Sequence, residues 1–400
     1  MVTRRNFLIA LPVFAVSAGA FAISPFRRRK LIPVAPAFVY LGTDTGKGKS
    51  KGIYQSRFDS VTGRLTPPVL AAAIPTPISL ALSPPRNGRR FLYSANSTSP
   101  SSAAATTFAI DPTTAALRQI GQVAISGSDP ACISIDDTGR VAFVASFDSS
   151  ISSFRVLPDG TLSQPVDSFD LRTIEKLGSP GTNAQQEASH PHSVTVSPDN
   201  RFLLVADLGT DRISVFLFDP ETGHLSEPHL FTNNRPGSGP RRIVFHPNGR
   251  WVYGINELDS TLDRYLWTAT RFSETPQGLL VSTNDPIKTI APDFPTDKNA
   301  AAELVISSDG SFLYASNRGE DSLVAFSISP KNGRLTLLQR ISCGGKTPVH
   351  FTLSPNAQWL LCGNQDSSTI TVFRRDSASG KLAGPTQTVP LESPLFTLFA

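Results

Sequence analysis

Seven short apolar runs along the chain each end in a tag of small, amide or acidic residues. The first four are Val39-Tyr40-Leu41-Gly42-Thr43, Leu92-Tyr93-Ser94-Ala95-Asn96, Phe143-Val144-Ala145-Ser146-Phe147 and Leu204-Val205-Ala206-Asp207. Val252-Tyr253-Gly254-Ile255-Asn256, Leu313-Tyr314-Ala315-Ser316-Asn317 and Leu360-Leu361-Cys362-Gly363-Asn364 complete the ladder. The spacing is about fifty residues, the size of one four-stranded propeller blade. Around each tag the pattern repeats. A proline-containing connection leads into alternating residues, a turn, the tag run, a second alternating strand, then a turn and a fourth strand. The clearest copy runs from His192 to Val196, through Ser197-Pro198-Asp199-Asn200, to Arg201–Asp207 and Arg212–Phe218, and ends past Asp219–Gly223 at His224-Leu225-Ser226. Period-two alternation between Pro, Asp and Gly turns predicts antiparallel strands. No sustained helical periodicity follows residue 35.

The predicted fold is all-β: a seven-bladed β-propeller in which each blade is a four-stranded antiparallel sheet. Closure into a ring removes the open edges that such sheets would otherwise expose. The two ends of the domain fit closure. Residues near Pro36 lack a preceding inner strand, while Leu395-Phe396-Thr397-Leu398-Phe399, after Pro394, is a spare one. The C-terminal strand is therefore expected to complete the first blade, with the propeller spanning residues 36–400.

Composition narrows the classes. Of 400 residues, 40% are hydrophobic and only 17% charged, so the surface must be rich in Ser, Thr, Asn and Gly. The 33 prolines and 28 glycines are scattered, as many turns require. The net charge of +5 is mild and forms no basic stripe with interleaved aromatics, which argues against nucleic acid as a partner. Cys132, Cys343 and Cys362 have no metal-ligand spacing and read as buried small hydrophobes. A monomer is expected.

Residues 1–35 stand apart. Thr3-Arg4-Arg5-Asn6-Phe7-Leu8 precedes an apolar stretch to Phe26, with small-x-small cleavage sites at Ala18-Gly19-Ala20 and Ala20-Phe21-Ala22. This resembles a twin-arginine export signal, which would engage the twin-arginine machinery and deliver a folded protein to the periplasm. Arg27-Arg28-Arg29-Lys30 follows a run about long enough to span a bilayer, so an uncleaved N-terminal anchor is the alternative.

Aligned on the proline before each inner strand, the next residue pairs are His192-Ser193, Arg241-Arg242, Val349-His350, Ile78-Ser79, Ala131-Cys132 and Leu395-Phe396, with Ala302-Glu303 in the remaining blade. In an antiparallel pair the start of one strand lies beside the end of the next. The partners there are Asp207-Leu208, Asn256-Glu257, Asn317-Arg318 and Asn364-Gln365. All are predicted to border the central channel. Blades four to seven bring His192, His350, Arg241, Arg242, Arg318, Glu257, Glu303 and Asp207; blades one to three bring mostly apolar or small groups. Charges at such positions are costly unless paired or used. Structural ion pairs are the competing reading, and the amides Asn96, Asn256, Asn317 and Asn364 read as turn caps.

These residues resemble the seven-bladed lactonase family, which includes propeller-type 6-phosphogluconolactonase and fungal carboxy-cis,cis-muconate cyclase. Similar segments are Ser189-His190-Pro191-His192-Ser193, Asp207-Leu208-Gly209-Thr210-Asp211-Arg212, Gly237-Ser238-Gly239-Pro240-Arg241, Ile255-Asn256-Glu257-Leu258, Ala302-Glu303-Leu304, Tyr314-Ala315-Ser316-Asn317-Arg318-Gly319 and Gly363-Asn364-Gln365. The resemblance covers residues 36–400. It implies a catalytic set of His190 or His192, Arg241, Glu257 and Arg318, with Asp207, Arg242, Glu303, His350 and Gln365 as substrate-binding candidates. Four positions depart from the family pattern and bear on phosphate recognition. Arg242 and Glu320 stand where histidines are usual, Val349-His350 replaces an arginine, and Ser146-Phe147 replaces an Asn-Tyr tag.

Lactone opening needs a polarised carbonyl, a positioned water and a base. Arginines can stabilise the oxyanion and hold an anionic substituent; a histidine or Glu257 can take the proton. No Gly-x-Ser-x-Gly or His-Glu-x-x-His motif is present, which argues against serine esterases and zinc hydrolases. Other lactonase propellers use a central calcium, but the arginines here argue against one. No cofactor is expected. The expected substrate is a small, anionic or sugar-acid lactone, and the export signal favours a periplasmic sugar-acid lactone over a pentose-phosphate role. A muconate-type cyclase and a non-catalytic binding platform are the alternatives.

Overall fold

Each tag run is the second strand of a sheet, and the seven lie at Ala37–Thr43, Phe91–Ser99, Val141–Ser146, Phe202–Asp207, Trp251–Asn256, Phe312–Arg318 and Trp359–Asn364. Side chains alternate between the two faces of a strand. Here both faces are interior. Leu203 and Val205 pack with Val141, Phe143 and Ile151 of the blade before. Phe202, Leu204 and Ala206 pack with Ile243, Val252 and Tyr265 of the blade after. Seven such cores, one between each pair of neighbouring blades, account for the unbroken apolar runs.

The computed structural model describes residues 37–400 apart from 87, 100–101, 175–180, 182, 229 and 271–276. The expected export signal or anchor at 1–35 lies outside the described residues. Among those described, helix is confined to 3₁₀ turns such as Leu171–Thr173 and Thr296–Lys298, and no helix is long and apolar enough to cross a membrane. The strands form seven antiparallel sheets. Two sheets count five strands because their fourth strand is broken. In blade one Arg64–Leu65 and Val69–Ala73 both pair with Gly52–Asp59, and in blade five Gly278–Ser282 and Ile287–Lys288 both pair with Thr261–Ala269. Pro67-Pro68 and Pro286 lie at the breaks. Proline has no N–H to give the ladder.

The C-terminal strand Pro394–Phe399 closes the ring. It pairs with the strand Ala37–Thr43 in the register Val39↔Phe399, Tyr40↔Leu398, Leu41↔Thr397 and Gly42↔Phe396. Phe399 meets Phe58 edge-on at 5.1 Å. Neighbouring blades are also tied by hydroxyls: Tyr40, Tyr93, Tyr253 and Tyr314 donate to the carbonyls of Ala115, Gly160, Gly333 and Gly380, each in a turn of the next blade.

The inner strands are Pro77–Leu82, Pro130–Ile135, Pro191–Val196, Pro240–Phe245, Ala300–Ile306, Pro348–Leu353 and Pro394–Phe399. Six begin with proline, where a missing N–H costs least. Each of these six then slips register by one residue. Pro191 pairs with Asp207 and Ser193 with Ala206, leaving His192 between them. Ile78, Ala131, Arg241, Val349 and Leu395 are left out in the same way. Such bulges re-aim a side chain, and here they mark the residues that border the axis.

Removing 394–400 should strip blade one of its inner strand and uncover Val39, Tyr40 and Leu41, which are fully buried on the strand it pairs with. The truncated chain is expected to lose stability sharply in urea titrations. A midpoint equal to that of the full chain would overturn the closure argument.

Candidate active site

The bulged positions converge on one pocket of about 310 Å³ at the channel. Its lining includes all six bulged residues, together with Asp129, Pro130, Phe147, Arg242, Glu257, Glu303, Arg318, His350 and Phe396. Blades one to three supply a mostly apolar wall with one carboxylate, Asp129, and blades four to seven supply the other charges.

The charges form two networks. In the first, Glu257 sits between two arginines: its Oε2 lies 2.5 Å from Arg241 Nη1 and 2.8 Å from Arg318 Nη2. Arg241 Nε also donates to the Ala302 carbonyl at 3.0 Å, and Arg318 Nε to that of Ala300 at 3.2 Å. Arg241 Nη2 and Arg318 Nη1 have no protein partner among the described residues. Arg241 Nη1 lies 2.5 Å from His192 Nε2. A guanidinium can only donate, so Nε2 accepts and the imidazole proton resides on Nδ1. In the second network Arg242 grips Glu303 in a fork, Nε to Oε1 at 2.9 Å and Nη2 to Oε2 at 2.8 Å. His350 Nε2 lies 3.3 Å from Glu303 Oε2, and its Nδ1 lies 3.1 Å from Thr397 Oγ1.

Burial and neighbouring charge set the protonation states. Burial alone would raise Glu257, but Arg318, Arg241 and His192 outweigh it and hold the carboxyl at about 2. Burial, then Arg318, lower Arg241 to about 10 despite Glu257, so it stays charged at neutral pH. His192 is pushed well below the usual histidine value by burial and then by Arg241. Burial also brings His350 down to about 4, against the pull of Glu303. Both imidazoles are neutral at pH 7. For Glu303 burial is outweighed by Arg242 and His350, and its pKa falls below the ordinary value.

Of the residues singled out in the sequence, His192, Arg241, Glu257, Arg318, Arg242, Glu303 and His350 line this one pocket. Three others do not. Asp207 turns back into its own blade, accepting from Ser189 Oγ at 2.6 Å and from the His190 and Gly209 N–H groups at 2.7 and 3.0 Å. It caps the turn that carries His190. Gln365 is held in a hairpin turn, its N–H on the Thr347 carbonyl at 2.9 Å. His190 stacks on Phe147 at 4.2 Å and donates from Nδ1 to the Phe147 carbonyl at 2.6 Å. The amides Asn96, Asn256, Asn317 and Asn364 are buried and hydrogen-bond hydroxyls on the adjacent third strand. Glu320, one of the departures from the family pattern, accepts from the Ala291 N–H at 2.7 Å and so ties a loop.

The sequence pattern did not single out Asp129, and it placed Phe147 at a strand end on the channel and as a departure from the family pattern, without a role in the site. The alignment started after each proline, and Asp129 precedes one. Phe147 touches His192 edge-on, with ring centroids 5.8 Å apart. Among the described residues no group of three or more His, Cys, Asp or Glu side chains is arranged to hold a metal ion.

Residues 38–399 match the family described as lactonase, 7-bladed β-propeller. The chain belongs to that family. Membership makes it an enzyme of the lactonase class. It is 30% identical to a Bacillus subtilis 6-phosphogluconolactonase over 365 residues, covering 90% of this chain and 97% of the relative. Identity to a Formosa agariphila 6-phosphogluconolactonase is 35% over 355 residues, covering 86% and 94%. The solved structure of a Pseudomonas aeruginosa periplasmic gluconolactonase superposes with a TM-score of 0.81 at 30% identity, covering 91% of this chain and 99% of that one. These figures place the lactonase likeness across the whole ring rather than in one blade.

The pKa pattern gives the lactonase fold an acid sensitivity of definite sign. Glu257, depressed from 4.5 to about 2, stabilises the fold fully above its unfolded value and loses that contribution as pH falls toward 2. His350, depressed from 6.5 to about 4, is protonated first in the unfolded chain, so stability also declines from pH 6.5 to 4. Unfolding free energies measured in urea from pH 7 down to pH 3 should fall through both windows. Glu257→Gln should flatten the lower one and His350→Gln the upper. Unchanged slopes in both variants would refute these assignments.

Proposed function

We propose that the protein hydrolyses the lactone of an unphosphorylated sugar acid, and that it does so after export to the periplasm. The observation that carries the chemistry is the Arg241–Glu257–Arg318 cluster. One carboxylate fixes two guanidiniums, two backbone carbonyls fix their Nε groups, and each arginine keeps one nitrogen unpartnered among the described residues. Donors held in place before the reaction, in a pocket walled by Ile78, Ala131, Val349, Leu395 and Phe396, suit the oxyanion that forms when water adds to a lactone carbonyl. Glu257 holds the two donors; at a pKa of about 2 it is a weak base.

Charge bears on the substrate. Arg242 gives Nε and Nη2 to Glu303 and turns Nη1 toward the Cys132 sulfur, which leaves it less to offer a phosphate. With Asp129, the lining holds three carboxylates against three guanidiniums, and both histidines are neutral. Such a pocket suits a neutral polyhydroxy lactone better than a phosphate dianion. A volume of about 310 Å³ lies at the small end of ligand pockets and suits a single sugar ring. Export rests on Arg4-Arg5-Asn6-Phe7-Leu8 and the apolar run after it. The likeness to a protein described as a periplasmic gluconolactonase supports both halves of the reading.

The test is a lactone panel with plain and phosphorylated gluconolactone side by side, scored by proton release above the spontaneous rate. The plain lactone should turn over faster. Arg241→Ala, confirmed folded by its melting curve, should lose on the order of a hundredfold in kcat. Wild-type turnover in that variant would make these arginines structural ion pairs. No turnover of any lactone would favour a binding platform.

Export is tested separately by fractionation. With Arg4 and Arg5 both changed to Lys, the protein should accumulate in the cytoplasm. An unchanged distribution would remove the twin-arginine route and leave the lactone chemistry untouched.

A further inference from the structure

The pocket contains a third carboxylate that neither charge network uses. Asp129 lines it from blade three, immediately before Pro130 at the start of that blade's inner strand. Glu257 is clamped by Arg241 and Arg318, and Glu303 by Arg242 and His350. The Asp129 carboxylate has no side-chain hydrogen bond or ion pair among the described residues. The Asp129 main chain is tied to the neighbouring strand end, because its backbone carbonyl accepts the Phe147 N–H at 2.6 Å. The residue before the inner-strand proline adopts positive φ at Thr76, Gly239, Thr347 and Ser393, but Asp129 and His190 do not. Blades three and four thus enter the axis with a different backbone from the others.

We propose that Asp129 is the general base of lactone opening. This rests on the lactonase reading above and names the group that activates water at that site. The other basic groups are occupied. His192 Nε2 accepts from Arg241. His350 is engaged at both nitrogens by Thr397 and Glu303. His190 donates from Nδ1 to Phe147, faces Glu187 with Nε2 at 3.2 Å, and does not line the pocket. In a ring of seven blades, blade three lies across the axis from blades six and seven. Arg318 belongs to blade six, so a lactone between them can turn its carbonyl oxygen to the arginines and its carbonyl carbon to a water beside Asp129.

The step balances without a further reactant. The Asp129 carboxylate takes one proton from water as the water oxygen bonds to the carbonyl carbon, and the carbonyl π pair moves onto oxygen beside Arg241 and Arg318. The intermediate collapses, the ring C–O bond breaks, and the departing ring oxygen takes the proton back from Asp129. The products are the open hydroxy acid and the regenerated carboxylate. The environment suits a base. Asp129 is solvent-accessible, yet partial desolvation raises its pKa above the ordinary aspartate value and Asp148 adds to this, while His190 pulls the other way. The other charged groups of the pocket lining are Arg241, Arg242, Arg318, Glu257 and Glu303, with His192 and His350 neutral.

The experiment uses the full chain and plain gluconolactone, with residual lactone trapped by hydroxylamine from pH 4 to 8 against an enzyme-free blank. Asp129→Asn should lower kcat by roughly a hundredfold or more, with little change in KM and loss of the acid limb of the pH profile. Asp129→Glu should restore part of the rate. If Asp129→Asn does not fold, Asp148→Asn serves instead. Asp148 does not line the pocket, and losing its charge should move the acid limb to lower pH while keeping the plateau rate. An acid limb that stays in place in either folded variant, with wild-type kcat, overturns the assignment of Asp129 and leaves the lactonase reading standing. A wild-type chain inactive on every lactone overturns both.

Discussion

The pairing of Ala37–Thr43 with Pro394–Phe399 is the contact on which the rest of the molecule depends. It joins residues more than 350 positions apart and turns a row of sheets into a ring. Every sheet then has a neighbour on each face, and seven interblade cores replace the one central core of an ordinary sandwich. No blade can bury its two apolar faces alone. Closure also brings seven strand starts to one axis. The pocket is a by-product of the ring, and its position owes nothing to any single blade.

Much of this was legible in the sequence for a specific reason. A strand buried on both faces has no polar side, so Leu203, Leu204, Val205 and Ala206 announce themselves as a continuous run. The same holds for the other six tags. The spare strand after Pro394 was visible because nothing before Pro36 could fill its place. Proline served as a ruler for the site, since the bulge follows it at a constant offset in six blades. The broken fourth strands of blades one and five were not anticipated, although Pro67-Pro68 and Pro286 mark the breaks.

Direction was harder to read than position. Asp207 stands at the end of its strand, as expected, but its carboxylate turns inward to satisfy Ser189 and the N–H groups of the following turn. An acidic side chain of that length reaches backbone donors two or three residues on, and the strand pattern cannot say which way it goes. Asp129 shows the converse. It precedes the ruler by one residue and so fell outside the frame, yet it borders the pocket. His190 occupies the equivalent place in the next blade and stacks on Phe147 outside the lining. Equivalent positions in adjacent blades thus serve different ends, which an alignment of repeats treats as one.

The division of the pocket into an apolar arc and a charged arc has an electrostatic consequence. Arg241, Arg318 and Glu257 share the pocket lining with Leu395, Phe396, Val349 and Ile78. Low-polarity walls weaken screening, so each charge acts more strongly on a bound carbonyl than it would on an exposed surface. The same walls make an unpaired charge costly. Both pressures are met if the guanidiniums are paired but not saturated. Glu257 supplies one carboxylate for two arginines, whereas Glu303 supplies one for Arg242 and is gripped at both oxygens. In the first arrangement Arg241 Nη2 and Arg318 Nη1 have no protein partner among the described residues; in the second the Arg242 nitrogen outside the fork meets only the Cys132 sulfur at 3.5 Å. Arg241 and Arg242 are neighbours in sequence and reach the same pocket, yet Arg241 shares the single carboxylate of Glu257 with Arg318 while Arg242 has that of Glu303 in a two-point fork.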